Sequence, residues 1–533
     1  MKTRLLTIVV FSLLSLWLSC PAFALEGEPY IHDPSTIMEC DGKYYTFGTG
    51  SGGLVSDDGW TWHRGGVRPG GGAAPDAIKI GDRYLVAYGA TGGGLGGGHN
   101  GRILTMWNNT LDPNSPDFEY SEPVEVASSN GIEDCDAIDP GLCLGPDGRL
   151  WCTYGTFFGF IRIVELDPRT GERVEGNEAL NIAIDCEATT MIYRDGWYYL
   201  FGDHGTCCNG VTSTYNIRVG RSRKPTGPFL DNIGQDMLRG GGKLVVAANN
   251  RLVGPGHFGL IDLGDDVQKF SCHYEADMDR GGRSVLDVRT LLWKDGWPVA
   301  GDVFKGGTFE IESERSGYAL ELAVDGVPLG GGRRGGMGMG MGRGTSGGTR
   351  GGEGATGSRG GMSGGARGNA ATSRGGAGVR RGGGGFGMFG GRGGGSTSPI
   401  PDQDVNDVSK NWPEGNLDLR LGDYMLQVHQ KWTITPLENA GGYLGSPYFK
   451  ITVAGTDRTL AMTDNAELVA LPAFTGEPEQ LWRIDQLIDG TYRIMPRVGS
   501  KFGFALTAVG ASTPSLAEFD PASDKARWNF KKP

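Results

Sequence analysis

The sequence predicts an all-β chain in which a five-bladed β-propeller is followed by a second β domain. Five segments share one design: 41–50 (DGKYYTFGTG), 81–90 (GDRYLVAYGA), 147–156 (DGRLWCTYGT), 195–204 (DGWYYLFGDH) and 295–304 (DGWPVAGDVF). Each feeds an Asp/Gly turn into an alternating aromatic and aliphatic strand, the mark of a hairpin with a half-buried partner. Five copies, with almost no 3.6-residue periodicity between them, point to small sheets set radially about an axis. Their uneven spacing argues against a solenoid. Loops at one end of a propeller converge, so residues distant in sequence meet there.

A second pattern begins near residue 306. Phe309-Glu310-Ile311, Tyr448-Phe449-Lys450-Ile451 and Tyr492-Arg493-Ile494 each open a unit, and Gln430-Lys431-Trp432, Gln480-Leu481-Trp482 and Ala526-Arg527-Trp528 each close one. A threefold unit closing on Q-x-W resembles the ricin-type β-trefoil, from which the third copy departs by carrying Ala526 in place of Gln. Trefoils of that type commonly bind sugars, while the motif tryptophans themselves read as core. The boundaries that follow are a propeller at 25–305 and a trefoil at 306–533, interrupted by 329–398. That insertion holds ten Arg and one Glu among Gly, Ser and Met. It has almost nothing to bury and is expected to be disordered.

At the N-terminus Lys2 and Arg4 precede an apolar run, Leu5 to Leu18, and then Pro21-Ala22-Phe23-Ala24. This reads as a signal peptide over 1–24 and places the mature chain in the periplasm or outside the cell. Lipoprotein anchoring at Cys20 is the alternative, although Trp17-Leu18-Ser19 suits it poorly. No other stretch approaches the roughly 18 apolar residues of a membrane span, and a monomer is expected. Export sets aside the RNA-binding reading that the RGG-like insertion would otherwise invite. The net charge of −12, with the basic residues concentrated in the insertion, leaves the folded parts acidic and without a face for nucleic acid. No C-x-x-C pair supports zinc, and the pairing of the adjacent Cys207 and Cys208 stays open.

Three carboxylates stand where blades begin: Asp33 in His32-Asp33-Pro34-Ser35, Asp139 in Asp136-Ala137-Ile138-Asp139-Pro140, and Glu187 in Cys186-Glu187-Ala188-Thr189. Innermost strand starts line the axial cavity of a propeller, so three acids from three blades can converge. Hydrolysing a glycosidic bond with inversion needs a base to activate water on one face of the sugar and an acid to protonate the leaving oxygen on the other.

The stretch from His32 to about Asp302 resembles glycoside hydrolase family 43, and within it the endo-1,5-α-L-arabinanase branch. The resemblance is carried by HDPS at 32–35, APD at 74–76, DAIDPGL at 136–142, RLWCTYGTFFGFIRIVELDP at 149–168, GDHGTCCNGVTSTYNIRVGRS at 202–222, TGPF at 226–229 and GPGH at 254–257. It implies Asp33 as general base, Glu187 as general acid, and Asp139 as the residue that orients the acid and raises its pKa. His32, Asp76 and Phe158 are implied as substrate-binding, and His257 as the residue facing a cation, usually calcium, in the axial channel. Departures from the family pattern are Ala-Thr-Thr after Glu187, which leaves Asp185 as the alternative acid, and Phe157-Phe158, where the aromatic pair usually includes Trp. The implied substrate is arabinan or another arabinose-containing polysaccharide. Exo-acting arabinofuranosidase or β-xylosidase activity, or a non-catalytic carbohydrate-binding role, are the rival readings.

Overall fold

The computed structural model describes residues 25–329 and 409–533, apart from 51, 70–71, 91–99, 130–134, 410 and 500–502. The expected signal peptide, Cys20 included, and the Gly/Arg-rich insertion from residue 330 onward lie outside the described residues. Blade 1 is built from Met38–Cys40, Lys43–Gly48, Gly52–Ser56 and Thr61–Gly66, with Glu26–Gly27 added in parallel along its outer edge. Blades 2 to 5 are four-stranded antiparallel meanders over residues 73–128, 141–184, 187–246 and 252–300. From blade 1 through blade 5, the first strand of each blade touches that of the next, which sets them around the axis.

Four of the five repeated segments fall on the first hairpin of a blade, as the pattern requires. The fifth, 295–304, turns instead between Arg283–Lys294 and Trp297–Ala300, the last hairpin of blade 5. That blade's first hairpin is turned between Asp262 and Gln268, with Asp265 and Asp266 both at positive φ. Asp-Gly chemistry favours a tight hairpin turn wherever one occurs, so it marks a turn without saying which of a blade's hairpins carries it.

The C-terminal region repeats one arrangement three times. Trp432, Trp482 and Trp528 are fully buried, and each indole N–H donates to a leucine carbonyl, Leu320 (2.8 Å), Leu460 (3.0 Å) and Leu506 (2.8 Å). The Gln430 and Gln480 side chains accept main-chain N–H groups from Met425 and Thr475 and donate to the carbonyls of Asp423 and Ala473. Ala526 has no amide with which to do this, which is the structural content of the departure seen in the third unit.

Among the described residues no strand from one end of the propeller completes the blade at the other end, and the ring closes along a seam between blades 1 and 5. Leu286 N donates to Pro29 O (2.7 Å) and Ser284 Oγ to Ile31 O (2.7 Å), above an apolar cluster that includes Trp60, Trp62, Ile261, Leu286 and Val288. Leu444 of the C-terminal region enters this cluster and is 0% exposed. Its neighbourhood is tied on both sides: Leu444 N to Asp58 O (2.8 Å), Gly445 N to Gly59 O (3.0 Å), and Lys269 Nζ to Leu444 O (2.6 Å). Gly445 sits at φ 79°, and a Cβ there would lie 2.5 Å from Val288 O. A glycine is therefore required. Nearby, Arg493 pairs with Asp265 and Arg527 with Asp266, while buried Asp485 lies among Arg483, Arg493 and Lys269. Propeller and C-terminal region belong to one compact unit. Leu444→Ala is expected to cost about 2–5 kcal/mol, the range for truncating a buried leucine, read as a lowered urea midpoint. An unchanged midpoint would show that the seam holds without this side chain.

Candidate active site

One residue near the axial end of each blade adopts a left-handed backbone: Asp33, Ala74, Asp139, Ala188 and His257, with φ between 44° and 57°. In blades 2, 4 and 5 that residue lies inside a register shift of the first hairpin, at 73–76, 187–190 and 256–259. A bulge of this kind bends the strand and re-aims side chains, and a left-handed non-glycine residue costs about 1–3 kcal/mol that the surrounding packing must offset. The repetition of this device shows a mouth shaped for side-chain placement.

Asp33 is held from several directions. Its carboxylate meets His32 Nδ1 (2.8 Å) and His257 Nδ1 (3.3 Å) and accepts from the Thr49 hydroxyl, and its backbone N–H donates to His273 Nδ1 (3.2 Å). Burial alone would raise the Asp33 pKa, but His257, His32 and His273 outweigh it and hold the carboxyl well below its usual range. His32, stacked on His273 at 4.6 Å, is pushed up to about 10: burial opposes its charge, and Asp33 and Glu275 overcome that. His257 is pushed down to about 4 by burial.

Glu187 opens the first strand of blade 4 and pairs in register with Asp203. It accepts a hydrogen bond from the buried Tyr215 hydroxyl. Burial, then the charges of Asp139, Asp203 and Asp33, push its pKa up to about 10. Asp139 is pushed up to about 8, by burial and then by Asp33. Glu187 therefore holds its proton through neutral pH while Asp33 stays ionised. Asp185, the alternative acid, is exposed and stands beside Gly240.

The structure thus brings Asp33, Asp139, Glu187, His32 and His257 together. Asp76 is placed differently: it is buried, with Oδ1 accepting from Thr36 N (3.0 Å) and Oδ2 from Leu142 N (2.8 Å). Both oxygens are engaged by the main chain of blades 1 and 3, so Asp76 ties three blades beneath the site. Phe158 is 45% exposed and leans on Phe157 with ring centres 4.3 Å apart. Five contributors were missed from the sequence: Thr49, Asp203, Tyr215, His273 and Glu275. Asp203 and Tyr215 lie inside the 202–222 run that carries the family resemblance, which was the available signal. His273 and Glu275 sit mid-strand in Gln268–Asp277 with no motif around them.

Both ring nitrogens of His257 and Oδ1 of Asp203 are buried without a hydrogen-bond partner, and Asp203 Oδ2 accepts from His257 N (2.8 Å). A buried imidazole and a carboxyl oxygen left without hydrogen bonds, beside the Asp33 carboxylate 3.3 Å from His257 Nδ1, have the donor chemistry for a cation held partly by water. The sequence suggested a lone imidazole there, whereas the fold adds His32, His273 and several carboxylates.

Residues 32–298 match the profile of Glycosyl hydrolases family 43. The chain is 30% identical over 323 residues to the extracellular exo-α-(1→5)-L-arabinofuranosidase ArbA of Cellvibrio japonicus (strain Ueda107), spanning 53% of this chain and 91% of that protein. It is 34% identical over 177 residues to the extracellular endo-α-(1→5)-L-arabinanase 1 of Bacillus subtilis (strain 168), spanning 32% of this chain and 53% of that protein. Among solved structures, the exo-1,5-α-L-arabinanase from a bovine ruminal metagenomic library shares 31% identity, with a TM-score of 0.48 over 53% of this chain and 100% of that one.

Proposed function

The chain belongs to glycosyl hydrolase family 43, and from that membership we propose that it cleaves α-L-arabinofuranosyl linkages with inversion, the substrate being the α-1,5 bonds of arabinan. The observation that carries this reading is the contrast between two buried carboxyl groups: Asp33 meets His32 Nδ1 (2.8 Å) and His257 Nδ1 (3.3 Å), which favours its ionised form, whereas Glu187 pairs with Asp203 and is buried among carboxyl groups, which favours its protonated form. Asp33 takes a proton from water as that water attacks the anomeric carbon, and Glu187 delivers its proton to the departing oxygen. Burial keeps the proton on Glu187 at neutral pH, and as Asp139 ionises, above about pH 8, its charge opposes loss of that proton across the site. Phe158 offers an exposed ring to the apolar face of a sugar, and His32 stands at the same mouth. The two relatives' names, one exo and one endo, both specify α-(1→5) arabinosyl bonds, which supports the substrate class; arabinose release alone from linear arabinan would mark the exo mode.

The fully buried tryptophans and their repeated hydrogen bonds support a ricin-type trefoil for the C-terminal region, acting as a carbohydrate-binding module. Relatives named as extracellular support export. For the cation, His257 is the residue that would hold it, with Asp203 and Asp33 nearby, and calcium is the expected ion. Such an ion supplies positive charge that steadies the buried carboxylates. His257→Ala is expected to lower activity while leaving the fold intact, with loss of bound metal by elemental analysis; equal metal content in both proteins would remove His257 from the site.

Two further outcomes test the roles. Removing the Asp139 charge lowers the Glu187 pKa, so in Asp139→Asn the alkaline limb of kcat/KM should move to lower pH. A limb that stays in place would separate Asp139 from the acid. General-acid assistance is worth about 10²–10⁴-fold for a poor leaving group, whereas a nitrophenolate departs without it. Glu187→Ala should therefore be crippled on arabinan and comparatively spared on an aryl arabinofuranoside, while Asp33→Ala fails on both. Should Asp185→Ala show that split in place of Glu187→Ala, the acid is misassigned.

A further inference from the structure

We infer that Glu275 is a positioning residue for the base, and that a disulfide between Cys207 and Cys208 sets its position, so that hydrolysis responds to thiol reduction. This rests on the reading of Asp33 as the base. Glu275 is buried in the strand Gln268–Asp277 of blade 5. Its Oε1 lies 3.3 Å from His32 Nε2 and 3.8 Å from His273 Nε2. The opposite nitrogen of each ring reaches Asp33: His32 Nδ1 meets the carboxylate at 2.8 Å, and His273 Nδ1 accepts the Asp33 backbone N–H at 3.2 Å. His32 thus bridges the Glu275 and Asp33 carboxylates. His273, whose Nδ1 accepts the Asp33 N–H, carries its proton on Nε2 and turns it towards Glu275 beyond hydrogen-bond reach, so the Glu275 charge favours that tautomer and ring orientation through space.

Glu275 Oε1 has a third partner, the backbone N–H of Cys208, at 2.8 Å. Cys207 and Cys208 are joined to each other, and their sulfurs lie within 4.8 Å of ligand atoms of His32 and Glu275. A bond between adjacent side chains closes a small ring around the intervening peptide, which restricts the direction of the Cys208 N–H. The pair is accessible, Cys208 being exposed and Cys207 half-buried. The other cysteines among the described residues are buried thiols, so a reductant meets one S–S bond there. With a water-soluble phosphine the phosphorus supplies two electrons. The S–S bond breaks, each sulfur takes a proton from water, and the water oxygen ends on phosphorus as phosphine oxide. Freed of the ring, the Cys208 N–H loosens from Glu275, and the two histidines lose their common anchor.

The test uses the full chain, with linear arabinan and an aryl arabinofuranoside as paired substrates. Glu275→Ala is expected to lower kcat about 10–100-fold, the usual cost of removing the partner that orients a working histidine, on both substrates alike and with KM within about twofold. Glu275→Gln, which retains an acceptor oxygen, should recover much of that loss. Phosphine treatment of the wild type should lower kcat on both substrates, and the Cys207→Ser/Cys208→Ser double variant should start at that lowered value and ignore the phosphine. Melting temperatures, measured in parallel, should stay close to wild type. An unimpaired Glu275→Ala overturns the positioning role, and so does a Glu275→Ala defect that tracks a collapsed melting temperature with no recovery in Glu275→Gln. Wild-type activity indifferent to phosphine, with both sulfurs shown reduced by mass spectrometry, overturns the redox link. A loss confined to arabinan does the same, since it would place the effect on the acid, which Tyr215 contacts from the end of the same loop. A wild type inert on every arabinoside would instead overturn the hydrolase reading beneath it.

Discussion

Five buried carboxyl groups, Asp33, Asp139, Glu187, Asp203 and Glu275, stand close enough to feel one another's charge, and their mutual repulsion is the constraint to which the rest of the site answers. All five cannot be ionised together in so little solvent. The chain resolves this by setting His32 between Asp33 and Glu275, whereas Glu187 and Asp139 have no histidine partner and Asp203 faces only His257, at 3.8 Å, an imidazole that burial keeps uncharged. Where a charged imidazole stands, the carboxyls lose their protons; elsewhere burial and neighbouring charge favour the protonated form. The proposed acid and base are thereby distinguished by environment, since the groups themselves are chemically alike.

That division demands placement finer than a regular strand provides. Consecutive strand residues point to opposite faces, so a straight first strand would carry some side chains past the axis. The bulges at 73–76, 187–190 and 256–259, and the left-handed residues at the mouth, correct the aim. Interblade packing holds these unfavourable conformations in place: Phe201 stacks on Phe258 at 3.8 Å directly beside His257, and Asp76 laces blades 1, 2 and 3 through main-chain amides.

Much of this was legible beforehand, and the limits have physical reasons. Turn chemistry is local, so Asp-Gly hairpins announced the blades, and Asp or Glu at strand starts announced three of the five carboxylates. The same locality placed the fifth repeat on the last hairpin of its blade where the pattern called for the first. His273 and Glu275 were invisible because their role comes from crossing the seam to blade 1, a contact separated by some 240 residues. Asp76 was legible as a special residue but not in its office, because its partners are main-chain groups that any sequence supplies. The C-terminal Q-x-W pattern was read correctly as core.

The loop around Leu444 has a consequence for biogenesis. Blade 1 emerges first from the ribosome and blade 5 more than 200 residues later, yet the cover over their junction comes from residues 443–445, near the end of the chain. The histidines that ionise Asp33 come from both sides of that junction. A growing chain thus assembles most of its blades before Asp33 acquires its full setting. Maturation of the axial mouth is in this way tied to synthesis of the C-terminal region, and a product terminated before residue 443 would keep its blades but leave the joint uncovered.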